Sequence, residues 1–146
     1  MIGLLFPLAL QAAAAAAPAT AADALQPIGR QQLPAKGCAA FLWSVADRQL
    51  VAMAQGDPAL LRIAPGGRTL DLPRDASAAA VAGEFGLPAT GIYRAGDLTI
   101  TTDLQIVRDT ALTGGAKVPS GSLRIDRAGR DSVVMPVAGL IGCAGA

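Results

Sequence analysis

From residue 38 onward, short apolar runs alternate with turn-forming residues, and the runs carry the two-residue period of strands. Phe41, Trp43 and Val45 share one face of the run 39–45, Asp47-Arg48 marks a turn, and Leu50 to Ala54 forms a second apolar stretch, so the pair reads as a hairpin. Gly56-Asp57-Pro58 makes the next turn, residues 60–64 a third strand, Pro65-Gly66-Gly67 a tight turn and residues 68–72 a fourth strand. Strand signals return at 91–94 and 98–102 around the hairpin turn Ala95-Gly96-Asp97, with Leu98 and Ile100 apolar on one face and Thr99 and Thr101 polar on the other. Residues 104–113 form another candidate. Ser122 to Asp126 alternates with Leu123 and Ile125 inward, and 132–143 is the most apolar run of the domain, read as a central or semi-central strand bent at Pro136 and Gly139.

One stretch breaks this rhythm. Residues 75–87 are alanine-rich, Asp75 is placed to cap a helix, and Gly86 and Pro88 mark its end. The pattern therefore predicts a mainly β domain, an antiparallel sandwich or partly open small barrel of about eight strands with one short helical insertion. Phe41 and Trp43, alternating on a strand, are expected in its core.

The front of the chain reads differently. Residues 2–17 are apolar or small apart from Gln11, and Ala22-Asp23-Ala24 offers small residues at the positions a signal peptidase reads. Residues 1–24 are thus expected to be a secretion signal, 25–37 a flexible leader and 38–146 a single β domain. No Lys or Arg precedes Arg30, which is atypical for a signal, and a retained anchor is the alternative. Lys36, two residues before Cys38, argues against a lipoprotein.

Cys38 and Cys143 are the only cysteines and bracket the domain. An even count in an exported chain favours a disulfide between them, which would place the first and last strands side by side or across the core from each other. Two buried free thiols in a chain that stays reduced are the alternative. There is no CxxC, so thiol-redox catalysis and zinc ribbons have no support.

Composition narrows the function classes. Twelve basic residues against eleven acidic ones are well mixed along the chain, so no charge block exists to steer a nucleic acid. The chain has no histidine, which removes the commonest general base and metal ligand. A small hydrolase would have to use Lys117 with Ser120, or carboxylates drawn from Asp97, Asp103 and Asp109; a solvated lysine in a glycine-rich turn and aspartates in turns explain these residues more simply. The expectation is no enzyme, no cofactor and no metal.

Binding features are the remainder. Thr90, Tyr93, Arg94 and Arg108 form a possible contact surface. The segment Thr90-Gly91-Ile92-Tyr93-Arg94-Ala95-Gly96, in a small exported β-barrel domain clamped by a disulfide, resembles the periplasmic and membrane-bound inhibitors of c-type lysozyme. That family carries a Ser-Gly motif followed shortly by Tyr, and its serine enters the lysozyme cleft; here Thr90 stands in place of the serine and Tyr93 arrives one residue early. The resemblance covers residues 61–96 and implies lysozyme inhibition, whereas a net charge of +1 would not attract a basic enzyme. The sequence thus predicts an exported, non-catalytic periplasmic, secreted or envelope module with an unknown protein or envelope partner, and no membrane span after the signal.

Overall fold

The computed structural model describes residues 25–144. Eight strands, β1 (Cys38–Ser44), β2 (Leu50–Gly56), β3 (Ala59–Ile63), β4 (Leu70–Pro73), β5 (Thr90–Ala95), β6 (Leu98–Arg108), β7 (Gly115–Arg127) and β8 (Val133–Cys143), form one antiparallel sheet in the order β4-β3-β2-β1-β8-β7-β6-β5. Its two edges meet. Arg74 bridges Tyr93, and the Asp75 amide donates to the Ile92 carbonyl at 2.8 Å, so the sheet curls into a nearly closed barrel. Between the sandwich and the barrel, the second is what forms.

The runs 98–102 and 104–113 expected as separate strands share a single strand, β6, and β7 reaches back through the glycine-rich segment to Gly115. The β5–β6 hairpin closes on Gly96 and Asp97, with Ala95 opposite Leu98. Gly96 has φ +59°, the left-handed value that the first central position of a type II′ turn requires.

An eight-stranded barrel is just wide enough for side chains to fill. Leu42, Leu61, Ile63, Leu72, Tyr93, Ile100, Leu123 and Val137 are among those that do so. The β1–β2 wall contributes the small Ala40, Ala52 and Ala54 to the same cluster.

No helix forms over 75–87. The Asp75 carboxylate does accept the Ser77 amide and hydroxyl, as a cap would, but Val81 then bridges Thr90 and the Ala89 amide donates to the Val81 carbonyl. Phe85 and Gly86 both take left-handed backbone angles, which no helix continues through. Ala76, Ala79, Ala80 and Ala82 are exposed, so a helix here would have no apolar face to bury. A helix that short is marginal alone, and its backbone groups find partners at the barrel's closing edge.

The segment expected as a leader lies along the barrel. Leu25 and Ile28 are buried, with the Gln26 amide on the Ala64 carbonyl and the Ile28 amide on the Leu50 carbonyl. Ile28 joins Ala39, Met53 and Ala64 in a second small apolar cluster outside the barrel.

Cys38 and Cys143 are bonded. They are direct partners in the β1–β8 register, with Cα atoms 4.0 Å apart, closer than the usual span for disulfides. Among the described residues no helix is long and apolar enough to cross a membrane.

Candidate functional site

The chemistry considered for Lys117 and Ser120 is not assembled. The Lys117 ammonium pairs with Asp109, while the Ser120 hydroxyl donates to Gln105 Oε1 at 2.8 Å. Asp109 is held below the usual carboxylate range, first by the hydrogen bond from Lys117 and then by the Ala111 amide. The ammonium is thus directed at a carboxylate and not at the Ser120 hydroxyl. The carboxylates are apart as well. Asp97, Asp103 and Asp109 follow one another at six-residue intervals along β6 and its ends, which at about 3.3 Å per residue sets neighbours about 20 Å apart, against the roughly 5–10 Å that glycoside hydrolysis uses.

Thr90, Tyr93, Arg94 and Arg108 do not form one surface. Neighbouring residues on a strand face opposite sides, so Tyr93 points into the barrel at 1% exposure while Arg94 points out. Burial raises the Tyr93 phenol above its ordinary pKa, with a smaller opposing effect of Arg74. Arg94 Nε donates to Asp75 at 2.8 Å. Arg108 Nε donates to Glu84 at 2.9 Å, and its guanidinium lies 5.1 Å from the centre of the Phe85 ring. Both arginines therefore strap the 74–89 segment over the closing edge. Thr90 is half-buried and opens strand β5.

The feature that stands out lies on the opposite wall, and strand parity produces it. Ala40, Leu42, Val137 and Ile141 belong to the barrel core, so Ala39, Phe41 and Trp43 of β1, with Val45 just beyond it, face outward; so do Val134, Pro136, Ala138, Leu140 and Gly142 of β8. Phe41 and Trp43 are thus half-buried outside the barrel and not in its core. The register sets Trp43 beside Ala138 and Phe41 beside Leu140. No outward position of either strand carries a polar side chain.

Phe41 and Trp43 form a ridge between two hollows. One, about 510 Å³, includes Pro27, Arg30, Arg48 and Leu50 in its lining. The other, about 340 Å³, is lined by Leu33, Leu112, Leu140, Gly114, Gly115 and Gly142. Leu33, Val45, Val134 and Leu140 are exposed on this wall, and only Leu70, Val81 and Val107 are large exposed hydrophobics elsewhere among the described residues.

Comparison of the chain with protein-family models, curated proteins and solved structures yields no match.

Leu33, Val134, Leu140, Arg30 and Arg48 escaped the sequence reading. A signal for Val134 and Leu140 was present, because residues 133–143 are apolar at both parities whereas an ordinary antiparallel strand with one solvated face alternates; Leu33, on the leader, had none. Arg30 and Arg48 had none, since only the folded chain brings the leader beside the β1–β2 turn.

Proposed function

We propose that this protein is an exported, non-catalytic module of the periplasm or envelope that works by binding, and that it binds through the outer wall of β1 and β8. The carrying observation is the uninterrupted apolar character of the outward positions of these strands. Exposed contiguous apolar surface on a folded domain, rimmed by polar residues, marks an interaction site. The signal-like pattern of residues 1–24 and the Cys38–Cys143 bond support export to an oxidising compartment.

Val134→Glu/Leu140→Glu tests this reading in cells, because both side chains are exposed and the core is left intact. The wild type should be recovered from the envelope fraction with a mature N-terminus near Leu25 and in association with a partner. The variant should melt within a few degrees of it but elute free. A full-length cytoplasmic chain would refute export, and identical elution of the two proteins would refute the binding face.

A further inference from the structure

The hollow beside Trp43 adds charge to this apolar wall. Arg30 and Arg48 are both exposed and both line it, and no acidic residue lines either hollow. Neither arginine takes part in an ion pair among the described residues, whereas Arg62, Arg94, Arg108 and Arg124 are each matched by a carboxylate; Arg68, Arg74 and Arg127 have no ion pair either but line neither hollow. Asp47 sits in the same turn as Arg48, where its carboxylate accepts the Gln49 amide. Two unmatched cations therefore border an apolar strip on the convex wall of a barrel.

Resting on the binding reading above, we infer that this wall docks on the surface of a lipid bilayer containing anionic phospholipids. A convex apolar strip with Trp43, Val45, Val134 and Leu140 can sink to the level where headgroups meet acyl chains. Tryptophan prefers that level, and arginine stems can lie on apolar surface while their guanidinium groups reach phosphates. A second copy of the chain fits less well. An isologous contact would set the same wall on both partners and would bring Arg30 and Arg48 against a surface of like charge.

The chain's single tryptophan makes the inference directly readable. Purified protein is mixed with vesicles of phosphatidylglycerol and phosphatidylcholine, or of phosphatidylcholine alone, and followed by cosedimentation and Trp43 emission. Binding to the anionic vesicles should come with a blue shift and with protection from an aqueous quencher, and should weaken as salt is added. Each arginine is worth about fivefold in partitioning at an anionic surface, so Arg30→Gln/Arg48→Gln should lower it about 25-fold while leaving the melting temperature unchanged. Absence of cosedimentation, cosedimentation without a Trp43 shift, or equal binding to both vesicle types would each overturn the inference. If vesicles fail to bind but the native association still depends on Val134 and Leu140, the wall belongs to a protein partner: the binding reading then stands and the lipid assignment falls.

Discussion

The two halves of the barrel treat their outer surfaces in opposite ways. On β5, β6 and β7 the outward positions include Thr90, Arg94, Thr99, Thr101, Asp103, Ser122, Arg124 and Asp126, with Ile92, Val107 and Pro119 as apolar interruptions. Arg94 and Arg124 there are tied to neighbouring carboxylates. On β1 and β8 the corresponding positions are apolar throughout, and the nearby Arg30 and Arg48 are unmatched. The inner faces of both halves are equally apolar and share one core. Folding therefore explains the inner pattern everywhere and the outer pattern on β5–β7; on β1 the outward Ala39 and Phe41 pack with Ile28 of the leader, whereas Val45 and, on β8, Val134 and Leu140 are left exposed.

The β1–β8 seam carries the disulfide and the closest backbone approach at a glycine, and the largest effects are expected there. Cys38→Ser/Cys143→Ser should cost about 2–5 kcal/mol, the usual range for a native disulfide in a small domain, measured by denaturant unfolding against the oxidised wild type. Residual cooperative unfolding is expected, because the barrel core does not depend on the bond. An unchanged midpoint would show that β1 and β8 are held by packing alone.

Gly139→Ala is expected to cost about 2–3 kcal/mol. A Cβ on Gly139 would lie 1.9 Å from the Phe41 carbonyl oxygen, and that backbone can yield only by opening the seam. Thr101→Ala, outward on the polar half, should change stability by less than about 0.5 kcal/mol. Thermal melts of the two variants side by side test the contrast, and equal losses would erase it.

Alkaline pH probes the shared core from the other half. Tyr93 is the only tyrosine, and burial raises its folded-state pKa above that of the unfolded chain. Its contribution to stability is then fully present below about pH 10 and is lost as pH rises from there through the folded value. Phenolate absorbance should rise later than in the denatured protein, and the midpoint of urea unfolding should fall over the same interval. Ionisation at the denatured-state pKa with an unchanged midpoint would contradict the buried placement.

The smallest effect belongs to the ionic outer surface. Arg94→Gln and Arg108→Gln remove exposed pairs to Asp75 and Glu84, and water screens such pairs so that they contribute little. Global stability should barely move, while hydrogen exchange over 75–89 should quicken, because both arginines strap that segment to the barrel. Unchanged exchange would show that its backbone bonds to β5 suffice.

Much of the fold was legible because alternation and turn chemistry are local. The hairpin turn at Gly96-Asp97, the inward Leu98, Ile100, Leu123 and Ile125, and the Cys38–Cys143 pairing follow from residue type and position. The helix expected over 75–87 failed for a non-local reason: its backbone partners, Thr90 and Ile92, lie on β5. The contact surface was misread at Tyr93 because a strand neighbour of Arg94 must face the other way.

By itself, the sequence determined that the chain is mainly β, where its turns fall, and which residues along each strand share a face. Only the tertiary structure decided which of those faces looks inward. For β1 both faces are apolar, Ala40 and Leu42 on one and Phe41 and Trp43 on the other, so periodicity contains no information about direction. Closure of the barrel settles it: the β1–β2 wall fills its share of the interior with Ala40, Leu42, Ala52 and Ala54 beside Tyr93 and Leu123, and strand geometry then sends Phe41 and Trp43 outward to build the apolar wall.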